Sequence, residues 1–206
     1  MIKNWSVGIT EAILDDIYLK DINVAIYNRD IKNIKKEIDF LLKRNTLFND
    51  TGTTEDILDK FNKEIPSDKF PFITNDVKNL LIIFKRVTKK THFKLLLGSI
   101  TTNMCRKFHT DNNTLRMLCT YSGAGTLWLP KENINLEALE NFGSNEEIVI
   151  DKNNIKQANT GAVIILKGEK YSDDTQAAVH KSPSIESKRG KRLLLRIDTN
   201  EFLKTC

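Results

Sequence analysis

From His92 onward the chain stops spacing its apolar residues as a helix does. It breaks into eight short, mostly apolar segments, at 93–102, 106–109, 115–121, 126–129, 147–150, 162–166, 177–180 and 192–197, with Gly, Asn, Asp and Pro between them. Strands this short, this often interrupted, stabilise one another only by closing into a barrel or by packing as two sheets. An all-β unit such as a jelly roll is therefore expected over 92–206.

Residues 1–91 carry the other period. Ile9, Ala12, Ile13 and Ile17 make a helical stripe, and Asp30 is placed to cap a helix to about Arg44 with Ile31, Ile34, Ile38, Leu41 and Leu42 on one face. Thr53 or Thr54 is expected to cap a helix carrying Ile57, Leu58 and Phe61. Pro66 and Pro71 mark a loop. Thr74 or Asn75 then opens a helix through Val77, Leu80, Leu81, Phe84 and Val87. One alternating stretch, 22–27, reads as a short strand. The expected fold class is α+β, with a mainly helical N-terminal region, 1–91, packed on a β domain, 92–206.

Three histidines are present, and one of them sits in Phe108-His109-Thr110-Asp111. Residues i and i+2 of a strand face one side, so this His-x-Asp aims an imidazole and a carboxylate at one point. His180 lies at a later strand end and is the candidate third ligand. Two imidazoles and one carboxylate form the facial triad of non-haem Fe(II) oxygenases, which leaves positions for a chelating co-substrate and oxygen. The same donors also hold catalytic zinc. A zinc hydrolase is thus a second reading, although no glutamate stands in an H-E-x-x-H arrangement. A third reading is a non-catalytic binding module. His92 reads as an ordinary surface histidine.

What surrounds the pair narrows these readings. After the His-x-Asp come the glycine-rich hairpin Gly123-Ala124-Gly125-Thr126-Leu127-Trp128-Leu129-Pro130, the apolar strand 162–166, the distal His180, and Gly190-Lys191-Arg192 opening the last strand. This order resembles the Fe(II)- and 2-oxoglutarate-dependent oxygenases, in particular the prolyl-hydroxylase-like branch of the double-stranded β-helix fold, which is cupin-like. The resemblance implies Fe(II) at His109, Asp111 and His180, with 2-oxoglutarate and oxygen as co-substrates. It also implies an arginine on the last strand for the far carboxylate, because the guanidinium fork suits a carboxylate. Arg192 fits that place; Arg189, Arg196 and Lys181 compete with it. Arg192, Leu194 and Arg196 share one strand face. Tyr121 is a candidate second donor to the co-substrate, and Trp128 a candidate residue of the substrate mouth.

A longer resemblance runs over nearly the whole chain. Residues 22–27, 105–111, 118–130, 166–169 and 179–183, above all the string Cys119-Thr120-Tyr121-Ser122-Gly123-Ala124-Gly125-Thr126-Leu127-Trp128-Leu129-Pro130, resemble the bacterial family known as domain of unknown function 1826. That name implies no activity.

Composition matters mainly for what it disfavours. The net charge of +5 is spread among alternating acids and bases, with no basic stripe interleaved with aromatics, so nucleic acid is not favoured as a partner. The basic run Lys188-Arg189-Gly190-Lys191-Arg192 reads as a solvated hairpin. No apolar run is long enough to span a membrane, and the first residues lack the apolar core of a secretory signal. Cys105, Cys119 and Cys206 match no common zinc spacing and leave one thiol unpaired, which suits a reducing cytoplasm. The substrate is not legible from these residues.

Overall fold

The computed structural model describes residues 3–172, 174–186 and 190–199. Its framework is a sheet of seven strands: β1 (Trp5–Gly8), β2 (Val24–Tyr27), β3 (Leu47–Thr53), β4 (His92–Ile100), β5 (Leu115–Ser122), β8 (Val163–Lys167) and β10 (Arg192–Thr199). Their spatial order is β1-β2-β8-β5-β10-β4-β3. All neighbours run antiparallel except β1 and β2. A second sheet holds three two-residue strands, β7 (Lys156–Gln157), β6 (Leu127–Trp128) and β9 (His180–Lys181), in that order.

Alternation along the neighbouring strands β10 and β5 sorts side chains between two environments. Leu193, Leu195 and Ile197 join Met117, Cys119 and Tyr121 in the main core. That core also takes Leu41 from helix α1 (Lys35–Lys43), Ile57 and Phe61 from α2 (Thr54–Glu64), and Val77, Leu81 and Phe84 from α3 (Pro71–Thr88). Leu194 and Leu118 face the other way, into a smaller cluster with Trp128, Ala158 and Ala178 beneath the second sheet. The large sheet is therefore buried on both faces, which is why its strands read as continuous apolar runs.

Several local expectations change. Residues 147–150 are not a strand. Ser144 and Glu147 make a reciprocal capping box that closes a short helix, Asn145–Ile148, and only Val149 bridges to Ile134. Helix α3 starts at Pro71 rather than Thr74. Proline is well placed in a first turn, and Glu37 accepts from the free Phe72 and Ile73 amides. Residues 11–18 form a 3-10 helix. The first ninety-one residues also supply β1 and β3, the two edge strands of the large sheet. No described helix is long and apolar enough to cross a membrane.

Candidate metal centre

His109 and His180 sit directly opposite each other across an antiparallel bridge. Each backbone N–H donates to the other's carbonyl, both at 3.0 Å. Their rings lie 4.6 Å apart between centroids. Each Nδ1 lies beside a carbonyl two residues upstream, Lys107 O at 3.0 Å for His109 and Ala178 O at 3.1 Å for His180. A carbonyl only accepts, so Nδ1 carries hydrogen in both rings and each Nε2 turns into the site.

Asp111 completes the group. Its Oδ2 lies 3.3 Å from His180 Nε2 and its Oδ1 3.6 Å from His109 Nε2. Among the described residues this is the one set of three or more His, Cys, Asp or Glu side chains able to share an ion; the ligand atoms all lie within 4.8 Å of one another. Asp111 Oδ2 is buried and has no hydrogen-bond partner. An orphaned carboxylate oxygen beside two nitrogens whose other edges are already committed is a donor set that fits a divalent cation.

The charges agree. The Asp111 carboxylate, helped by Cys105, pushes His109 up to about 10. Burial pulls His180 down to about 4, against the attraction of Asp111. Burial also works against ionised Asp111, but His109, His180 and Arg116 outweigh it and hold the carboxyl at about 2. In the metal-free chain one proton on His109 thus serves as counter-charge to Asp111.

The loop carrying Asp111 is braced from outside. Gly168, Glu169 and Lys170 donate backbone N–H groups to Thr114, Asp111 and Asn113 carbonyls at 2.8–3.1 Å. A Cβ on Gly168 would stand 2.1 Å from Asn113 O, so this approach requires glycine.

Arg192 lies on the wall of the same cavity as His109 and His180. It is 1% exposed, donates from Nη2 to Thr120 Oγ1 at 2.9 Å, and leaves Nε without a partner. No carboxylate among the described residues pairs with it, and burial lowers its pKa to about 10. Gly123, at φ +85°, makes this packing possible: a Cβ there would meet Arg192 Cγ at 2.8 Å. Arg196 also lines the cavity, but its Nε is 3.0 Å from Asp198 Oδ2. The cavity is small, about 30 Å³, with Met104 and Lys181 among its walls. A larger one, about 590 Å³, opens on the helix-covered side near Arg29 and Tyr121 and contains no triad residue. The donor set, not the volume, marks the chemical site.

The structure does not bring Tyr121 to the triad. Strand alternation that turns Thr120 toward Arg192 turns Tyr121 the opposite way, where its hydroxyl donates to Asp76 Oδ2 at 2.6 Å. Trp128 is buried against Trp5, not at a mouth. Lys181 lies over the Phe108 ring. His92 touches only Thr91 among the bonds described. Arg189, Lys188 and Cys206 lie outside the described residues. Sequence reasoning missed Arg116, which donates to both Asp111 and Asp198 at 2.5 Å. Its signal was a charge in an otherwise apolar strand, on the face shared by Leu118 and Thr120.

A family model described as "Protein of unknown function (DUF1826)" matches residues 9–198. No curated protein matches the sequence. Solved structures with a similar fold include the rice dioxygenase for auxin oxidation, at 10% identity over 91% of this chain and 76% of that one, with a TM-score of 0.51. A full-length Neurospora crassa protein solved in complex with alpha-KG is 9% identical over 92% and 77%, with a TM-score of 0.50. The Fe(II)/(alpha)ketoglutarate-dependent dioxygenase TqaL is 11% identical over 91% and 85%, also with a TM-score of 0.50. At such identities the likeness concerns the fold, the jelly roll of those dioxygenases.

Proposed function

We propose that this chain, which belongs to the DUF1826 family of proteins of unknown function, is a non-haem Fe(II)- and 2-oxoglutarate-dependent oxygenase that hydroxylates a substrate C–H bond. The observation that carries this reading is Arg192, a buried guanidinium with no described carboxylate partner on the wall of the cavity lined by His109 and His180. A buried cation is stable when an anion meets it, and a dianionic co-substrate brings one. A zinc hydrolase would use the same arginine for an anionic substrate, but no glutamate stands in an H-E-x-x-H arrangement to serve as its base.

In this reading His109, Asp111 and His180 hold Fe(II), and Arg192 takes the far carboxylate of 2-oxoglutarate. Iron, when bound, supplies oxygen activation coupled to decarboxylation of 2-oxoglutarate to succinate. The chain itself orients and excludes water. The Lys107 and Ala178 carbonyls fix the ring tautomers, Gly168 steadies the Asp111 loop, and Thr120 aims the Arg192 fork. The small cavity requires side chains such as Met104 and Lys181 to move as the diacid enters. Residues 92–206 are read as the double-stranded β-helix, with β1, β2 and β3 of 1–91 extending its large sheet and the helices of 1–91 bracing it. Cys105 and Cys119 are free thiols, in keeping with a cytoplasmic setting.

Anaerobic titration with Fe(II) and then 2-oxoglutarate tests the reading. A metal-to-ligand absorption band is expected in the unaltered chain and is lost in His109→Ala. Once oxygen and a reductant are admitted, succinate and CO2 should form slowly from 2-oxoglutarate even with no substrate added. Tight zinc, no band and no succinate would move the site to hydrolysis.

A further inference from the structure

We propose that Arg116 is a positioning residue that restricts Asp111 to a single ligating oxygen, Oδ2. The inference rests on the triad's being a metal site. It does not depend on which metal or co-substrate is used.

Arg116 is 16% exposed in its side chain and stands one residue into β5, beside the loop that carries Asp111. Its fork divides between two carboxylates. Nη1 donates to Asp111 Oδ1 and Nε donates to Asp198 Oδ1, each at 2.5 Å. Asp198 lies directly across the ladder on β10, in register with Arg116. It is itself held, since Asn113 Nδ2 donates to Oδ1 at 3.3 Å and Arg196 Nε stands 3.0 Å from Oδ2. The Asp111 loop is therefore anchored at two residues, 111 and 113, to one carboxylate on the last strand.

The two oxygens of Asp111 consequently differ. Oδ1 is engaged by a charge-assisted hydrogen bond, while Oδ2 is buried without a hydrogen bond beside His180 Nε2. If both oxygens were to bind an ion, Oδ1 would have to abandon Arg116 and leave a buried guanidinium arm unpaired. Losing such a bond is unfavourable because the group is already desolvated. Arg116 thus keeps the carboxylate to one coordination position. A carboxylate occupying two would leave one position fewer for a chelating diacid and oxygen.

A purely structural arginine would make the same bonds, so the test must read the metal. Arg116→Lys keeps the charge but removes the fork, because a single ammonium on a flexible stem does not reproduce a planar two-pronged contact. Co(II) is the probe, titrated anaerobically without 2-oxoglutarate and followed by calorimetry and visible absorption. The unaltered chain is expected to take one Co(II). Arg116→Lys is expected to bind it about tenfold more weakly, the range seen when partners behind a metal ligand are lost. Its Co(II) bands should shift as Asp111 turns. Asp198→Asn, which loosens the far end of the fork, should move both readouts in the same direction by less. The proposal is overturned if Arg116→Lys melts at the unaltered temperature and binds Co(II) within twofold, with the same spectrum. Should Arg116→Lys not fold, an Asp198→Asn protein with unchanged affinity and spectrum overturns it instead. Failure of the unaltered chain to take any Co(II) sinks the metal reading and this proposal together. Co(II) uptake without 2-oxoglutarate turnover leaves this proposal standing and removes only the oxygenase.

Discussion

Two arginines on opposite sides of the large sheet, Arg29 half-buried and Arg192 fully buried, are handled in opposite ways. Arg29 follows β2 on the helix-covered side. Its Nη1 and Nη2 grip Asp76 at 2.5 and 2.8 Å, Nε donates to Gly161 O, and Tyr121 binds the same carboxylate. Burial opposes its charge, but Asp76 more than compensates and raises its pKa above the ordinary value. Arg192, facing the second sheet, has one threonine hydroxyl and no described carboxylate, and burial lowers its pKa. The first cluster is complete without any ligand and belongs to stability. The second lacks its counter-ion and belongs to binding. Burial of a charge is therefore a poor guide to function, whereas burial of a charge without its partner is a good one.

The contrast is most easily broken by removing each cation in turn. Arg29→Met strands the Asp76 carboxylate and should cost about 3–5 kcal/mol of stability in urea unfolding. Arg192→Met should leave stability unchanged or raise it, while weakening 2-oxoglutarate binding to the metal-loaded protein by about 2–5 kcal/mol. Metal binding should survive. Equal stability losses in the two variants would collapse the comparison. Arg196→Ala separates the candidate anchors. Arg196 Nε already lies 3.0 Å from the Asp198 carboxylate, so its loss should change 2-oxoglutarate affinity little.

Gly123→Ala sharpens the contrast from the backbone side. Alanine at φ +85° against the Arg192 stem should destabilise by about 1–3 kcal/mol and displace the guanidinium. Melting temperature and 2-oxoglutarate affinity should fall together in this variant, unlike in Arg192→Met. Unchanged affinity would show that Arg192 does not depend on this turn.

The remaining effect is one of pH. His109 sits at about 10 in the metal-free fold, above its ordinary value, so its contribution to stability is full below about pH 6.5 and fades as pH rises toward 10. His180, lowered to about 4, acts inversely. Its contribution is full above about pH 6.5 and is lost as pH falls through 4. Metal must displace the His109 proton, so affinity should rise about tenfold per pH unit between roughly 7 and 9, with about one proton released per ion. A flat affinity over that range would show that His109 is not a ligand. The proton release is measurable in weakly buffered solution.

Where sequence and structure part, the departures share a cause. Alternation alone puts Arg192, Leu194 and Arg196 on one face of β10, and Thr120 and Tyr121 on opposite faces of β5. It does not say which face looks at the triad, because both faces of the large sheet are apolar and buried. Tyr121 therefore reads as a site residue although it faces the helix-covered core. β3 is hidden in the sequence because it is an edge strand, whose Asn49, Asp50 and Thr51 follow no apolar alternation. Residues 147–150 look like a strand because Ile148, Val149 and Ile150 are β-branched, yet the Ser144–Glu147 cap makes the first of them helical.

Features set by neighbours a few residues away were legible from the sequence alone. These are the periods of the helices and strands, the shared side of His109 and Asp111, the need for small residues in the 123–125 turn, and the presence of a late arginine on the same strand face as Leu194. Their energies depend on local dihedrals and on side chains within a turn or a pleat. What only the tertiary structure decided was partnership. Arg29 meets Asp76, Arg116 meets Asp198, and Arg192 meets no described carboxylate. Those outcomes follow from the register of strands distant in the chain, and a shift of one residue would exchange every inward side chain for its outward neighbour.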